Sequence, residues 1–123
     1  MKKNWLVFAR REKCHHREAL ENLHFIDWTM KQNNFSIGDI VYIYPTNEDG
    51  IKFKTEVVAK NCERKDGYYW VDKNEIDSYP TYRLVASMSQ GRVIDIMTFN
   101  SYSLQYYSFW KGTRIIGSSD CFR

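Results

Sequence analysis

Two apolar runs on either side of a short polar turn constrain the fold of this chain more than any other feature. Residues 35–44 read Phe-Ser-Ile-Gly-Asp-Ile-Val-Tyr-Ile-Tyr, and residues 51–60 read Ile-Lys-Phe-Lys-Thr-Glu-Val-Val-Ala-Lys. Gly38-Asp39 is a turn dipeptide, and the five residues after it, Ile40 to Tyr44, are all β-branched or aromatic. Both alternating faces of that run are apolar, which predicts a strand covered on both sides. Residues 46–50 supply the turn, with Asp49-Gly50 as its strongest signal. The return strand alternates: Ile51, Phe53, Thr55, Val57 and Ala59 share one face, and Lys52, Lys54, Glu56, Val58 and Lys60 the other. A β-hairpin over 35–60 follows.

The remaining segments arrange themselves around that hairpin. Residues 4–9 are short and nearly all apolar, as an internal strand should be. Residues 17–24 carry Ala19, Leu20 and Leu23 at helical spacing, predicting a short helix that starts at 17 or as early as Cys14. Residues 25–28 leave the helix, and 29–34 read as a polar connector. A strand is predicted over 68–71, and an acidic irregular stretch over 72–78. Residues 82–88 read as a strand with Tyr82, Leu84, Ala86 and Met88 on one face. Asp95 is an N-cap for a second short helix over 96–101. Residues 104–110 form a final strand or loop, and 112–116 close the domain.

At 123 residues the chain reads as one domain over 1–117 with a tail over 118–123. Eighteen basic against fifteen acidic residues leave a net charge of +3, which permits an acidic partner without demanding one. Three cysteines, Cys14, Cys62 and Cys121, are too few and too odd for a disulfide framework. No run approaches the ~18 apolar residues of a spanning helix, so no membrane partner is expected, and the protein reads as cytoplasmic with reduced thiols. Aromatic content is high at 16%, more rings than a small core can bury.

Three stretches together resemble a known family. The chain opens Asn4-Trp5-Leu-Val-Phe8; the helix carries Ala19 and Leu23 and leads to Ile26-Asp-Trp28; the hairpin carries Ile37-Gly-Asp-Ile-Val-Tyr-Ile-Tyr44 and then Ile51-x-Phe-Lys-x-Glu-Val57. This looks like the EVE-like branch of the PUA superfamily, the group that also includes YTH, ASCH and SRA-like readers. The match runs over residues 4–60 and continues more weakly through Tyr82-Arg-Leu84, Phe99 to Leu104 and Gly112-Thr-Arg-Ile115. It departs at Ser103, where the family has Gly, at the closing turn Lys111-Gly-Thr113, and at Tyr106, Tyr107, Phe109 and Trp110, which look inserted.

The resemblance implies an α+β fold: a PUA-like mixed-sheet pseudo-barrel of about five to six strands with two short helices packed on it. It also implies a pocket that receives one nucleobase, often a modified one. Carried over by position, Trp28 is the stacking ring, and Asn4, Trp5, Ser36, Gly38 and Asp39 lie where pocket walls would be. Trp28 reads equally well as a core anchor. The basic groups Arg10, Arg11 and Lys13, and Lys52, Lys54 and Lys60, are candidate phosphate contacts, or else a solvated face.

Other chemistry has thin support. Cys14-His15-His16, His24 and Cys62 lack metal-ligand spacing, so no metal or cofactor is expected. No Walker loop, dinucleotide turn or nucleophile elbow is present. The expectation is a non-catalytic nucleic-acid-binding module, for DNA or RNA, accepting a single base. The alternatives are a protein-interaction module using the aromatics of 102–110, and an ASCH-type ribonuclease using Lys and Tyr.

Overall fold

The computed structural model describes residues 2–46, 51–89, 92–93 and 113–116. Its centre is the predicted hairpin. β3 (Ile40–Pro45) and β4 (Phe53–Cys62) pair antiparallel, with Ile40 opposite Glu56 and Ile43 opposite Phe53. β1 (Asn4–Ala9) lies parallel to β3, with Asn4 opposite Ile40 and Phe8 opposite Tyr44. On its far side β1 pairs, again parallel, with β8 (Thr113–Ile116). β5 (Thr81–Ala86) runs antiparallel to β4, and β2 (Phe25–Thr29) antiparallel to β5. The result is a six-stranded mixed sheet in the order β2-β5-β4-β3-β1-β8, curled into a half-barrel. A short separate pair, β6 (Met88–Ser89) with β7 (Arg92–Val93), follows β5.

The strand alternation sorts residues onto two faces. On the inner face Val7, Ala9, Val41, Ile43, Phe53, Val57, Leu84 and Ala86 are buried in one cluster with Trp28, Ile26, Phe35 and Tyr82. The helix α1 (His16–Leu23) covers this face with Ala19 and Leu20. Its third predicted core position, Leu23, is only half-buried, so Val41, Ile43, Phe53, Val57 and Leu20 share the core as expected and Leu23 stands at its edge. The outer face has a smaller cluster in which Leu6 and Ile51 are buried and Phe8, Tyr42 and Tyr44 are half-buried. β3 is thus apolar on both faces as expected, but only its inner face is fully covered; Tyr42 and Tyr44 on the outer face stay half-buried.

Three elements differ from the sequence reading. Residues 25–29 form a strand, where the sequence suggested only an exit from the helix over 25–28 with a connector from 29: the chain turns out of α1 at His24, which adopts the left-handed region (φ 67), and pairs at once with β5. Residues 68–71 are not a strand. Gly67–Tyr69 is a 3-10 turn, and only Trp70 makes a β-bridge, to Cys14. A second 3-10 turn, Lys73–Glu75, sits in the acidic stretch, capped by the Asp72 carboxylate on the Asn74 N–H at 2.9 Å. Among the described residues α1 is the one α-helix. The helix predicted over 96–101, the aromatics of 102–110 and the tail over 118–123 lie outside them.

Candidate nucleic-acid interface

The residues expected around a base pocket separate into three places. The first is a hydrogen-bonded knot at the start of β3. Residues 36–39 make a four-residue turn closed by the Asp39 N–H on the Ser36 carbonyl at 3.0 Å, with Gly38 at φ +95 in the third position, the type II pattern that selects glycine. The turn points the fully buried Asp39 carboxylate at the start of β1. Oδ1 accepts the Lys3 N–H at 2.9 Å; Oδ2 accepts the Trp5 indole N–H at 2.8 Å and the Ser36 N–H at 2.9 Å. Burial pushes this carboxyl up, but the donors from Ser36, Trp5 and Lys3 outweigh it and hold it below the ordinary range. Trp5, Ser36, Gly38 and Asp39 are therefore brought together, and their polar groups bind one another. Trp5 then leans on Phe35 at 5.2 Å, and Phe35 on Tyr82 at 4.9 Å. The Tyr82 hydroxyl accepts the Phe35 N–H and donates to the Asn33 carbonyl, both at 3.1 Å, so the loop before the knot is anchored too.

The second place is Trp28. Its side chain is 0% exposed and packs in the inner core, with the His16 ring 5.8 Å away. In this conformation the ring is closed to a base and acts as the core anchor, the other role open to it. Its indole N–H has no hydrogen-bond partner among the described residues. Outside His16 lies a recess lined by Arg11, His15, Arg17, Glu18 and Pro45, with room for about one water (10 Å³).

The third place is the outer face of the sheet. Asn4, Phe8, Tyr42, Tyr44, Lys54 and Glu56 share it by strand alternation, whereas ahead of β4 the alternation breaks: the Lys52 N–H bonds the Ile43 carbonyl already opposite Phe53, and Ile51 joins the outer cluster. Phe8 and Tyr44 are register partners with ring centroids 5.4 Å apart, and Tyr42 is opposite Lys54. Burial raises the Tyr42 hydroxyl above its ordinary range. Of the other cations, Arg10 is paired with Glu12 at 2.7 Å and Lys13 with Glu75, so two members of the 10–13 cluster already have carboxylate partners. Arg11 is exposed at the rim of the α1 recess, and Lys60 is exposed on β4.

Sequence reasoning missed a fourth constellation. Asp27 and Asp66 are each 1% exposed. Asp27 accepts Arg83 Nε and Nη2 at 2.9 and 3.1 Å and the Lys65 N–H at 2.6 Å. Asp66 accepts the Asp27 N–H at 2.9 Å and Arg64 Nη1 at 2.8 Å, and Arg64 also donates to the Asp27 carbonyl at 2.7 Å. Arg64 lies 4.9 Å over the Trp70 ring and Arg83 4.6 Å over Phe25. Each of these four charges has an internal partner, and the network fastens the segment after β4 to the sheet edge at β2. The available signal was an aspartate inside the apolar run Phe-Ile-Asp-Trp.

Among the described residues no three His, Cys, Asp or Glu side chains converge as a metal-binding set, and no helix is long and apolar enough to cross a membrane. No protein-family model, curated protein or solved structure matches the chain. What the fold defines by itself is a class: an α+β protein built on one mixed half-barrel sheet.

Proposed function

We propose that this protein is a non-catalytic nucleic-acid-binding module of the EVE-like, PUA-type kind, which holds a DNA or RNA strand and accepts one unpaired base. The observation that carries the reading is the outer sheet face, where the Phe8–Tyr44 ring pair and Tyr42 lie beside Lys54, with Lys52 just ahead of β4. Half-buried rings on a sheet give bases a stacking surface, and lysines beside them neutralise the phosphates of the same strand. Stacking is worth roughly 1–3 kcal/mol per base and is tolerant of base identity. The lysine contribution is electrostatic and falls with salt.

The test is a fluorescence titration of labelled single-stranded oligonucleotides over a range of salt. The wild type binds at low salt, with log affinity falling linearly against log salt. Replacing Lys52 and Lys54 together with Ala flattens that slope by about one for each phosphate no longer neutralised, and weakens all sequences evenly. A wild-type protein that binds no DNA or RNA strand at low salt refutes the reading.

A further inference from the structure

β4 and β5 part company at their far ends. The pairing is in step from Thr55 to Val57, then slips between Val57 and Ala59 and again between Ala59 and Cys62. At the second slip Asn61 takes a left-handed backbone (φ 57), and its N–H leaves the ladder to face the Met30 sulfur at 3.3 Å. Bulges of this sort re-aim side chains and end strand pairing, and they recur beside binding sites. Here they open a cleft of about 460 Å³ between residues 61–64 and the loop 77–80. The cleft is open to solvent on its outer side, a shelf for one flat ring rather than an enclosed pocket.

The walls of the cleft are ordered for one kind of guest. Tyr79 is 50% exposed and offers a flat ring. The loop that carries it is fastened from behind: the Tyr79 N–H bonds Asp77 Oδ1 at 3.0 Å, Thr29 Oγ1 donates to Asp77 Oδ2 at 2.9 Å, and the Met30 N–H bonds the Pro80 carbonyl at 2.9 Å. The Lys31 ammonium sits 5.8 Å from the ring centroid, and Lys60 is exposed next to Asn61. Glu63 and Asp77 give the cleft an acceptor-rich edge, while the Asn61 amide offers both a donor and an acceptor.

We propose that this cleft is the seat of the single unpaired base, and that the base is one carrying an exocyclic amino group. The ring stacks on Tyr79, its amino edge meets the Asp77 and Glu63 carboxylates, and the flanking phosphates fall to Lys31 and Lys60. Thymine has no exocyclic amine and satisfies the carboxylate edge least. The proposal rests on the nucleic-acid reading and places the base beyond the end of β4, past the point where Val57 bonds Gly38 and Asp39 of the knot.

The experiment compares labelled decamers of deoxycytidine, deoxyadenosine and thymidine by fluorescence anisotropy for the wild type, Tyr79→Ala and Tyr79→Phe, with amide NMR of the wild type titrated with cytidine and adenosine monophosphate. Expected are tighter binding of the amino-bearing decamers than of thymidine, a loss of about 5- to 150-fold for Tyr79→Ala, near-wild-type binding for Tyr79→Phe, and shifts confined to 61–64 and 77–80. If the wild type binds decamers but Tyr79→Ala binds them equally well, or thymidine binds as tightly as the others, the cleft assignment falls and the nucleic-acid reading stands. If the wild type binds no decamer and the nucleotides shift nothing in the cleft, both fall. Nucleotide shifts in the cleft without decamer binding keep the cleft as a nucleotide site and overturn the strand-binding reading. Tyr79 lies on an exposed loop outside the core, so its replacement leaves the fold intact.

Discussion

Asp27 and Arg83 stand opposite each other across the β2–β5 pairing and close a two-pronged ion pair, Nε to Oδ1 at 2.9 Å and Nη2 to Oδ2 at 3.1 Å. The carboxylate has no exposed side-chain surface and the guanidinium is 25% exposed. The hydrogen bonds Arg83 donates to Asp27 lift the guanidinium still further above its ordinary range, against the opposing effect of burial. Arg83→Ala strands the Asp27 charge and costs about 3–5 kcal/mol in urea unfolding. Arg83→Lys keeps the charge but loses the fork, and its stability lies between those of the alanine variant and the wild type. A change below about half a kcal/mol for Arg83→Ala would mean that water readily replaces the guanidinium.

Asp39 sets an acid limit on stability. Its folded carboxyl titrates below the unfolded value near 3.8, so its contribution is complete above about pH 4 and disappears as pH falls through the folded value. Asp39→Asn is therefore less stable than wild type at neutral pH by roughly 1–3 kcal/mol, with the gap narrowing below pH 4. Thermal melts of both proteins from pH 2 to 7 check this. Parallel curves over the whole range would show that Asp39 does not carry the acid dependence.

The two leucines of α1 differ in depth. Leu20 is 0% exposed and packs in the inner core, while Leu23 is half-buried. Leu20→Ala costs about 2–5 kcal/mol, and Leu23→Ala costs less than half of that. Equal losses in chemical denaturation would place both on the buried stripe.

Among the described residues nothing accepts the buried Trp28 N–H, a penalty of roughly 1–3 kcal/mol that a phenylalanine does not incur. Trp28→Phe therefore offsets its lost volume and stays within about 1 kcal/mol of wild type, whereas Trp28→Ala loses about 3–5 kcal/mol. An alanine variant that melts like the wild type would refute the core role and make Trp28 a candidate stacking ring again.

The hairpin, the first strand and the helix were legible because each is announced locally. Alternation places Phe53, Thr55 and Val57 inward, and the spacing of Ala19 and Leu20 places the helix stripe. β2 was not legible, because its central Asp27 reads as a break in a strand until Arg83 arrives from the neighbouring strand to neutralise it. Trp70 misled for a related reason. Its apolar neighbours look like a strand, yet the Asp66-Gly67 turn winds the chain into a 3-10 turn and leaves only the bridge to Cys14. Among the candidate site residues, Trp5, Ser36, Gly38 and Asp39 do converge. Whether a tryptophan such as Trp28 faces a ligand or the core depends on what folds over it, and composition does not carry that information. The Tyr79 cleft was invisible because it comes from a slip in strand pairing, which no single strand displays.

β1 is held on both edges by parallel partners, β3 and β8, so that Asn4 meets Ile40 on one side and Thr113 on the other. As the chain is synthesised, this strand leaves the ribosome before either partner and cannot complete its ladder until residues near 116 have followed. Until then one edge of an apolar strand is available to any other extended segment, which makes the nascent chain vulnerable to mispairing and to chaperone capture. β8 thus acts as a latch, and a truncation before Thr113, which removes residues 113–123, should shorten the lifetime of the chain in the cell far more than the loss of one short edge strand would suggest.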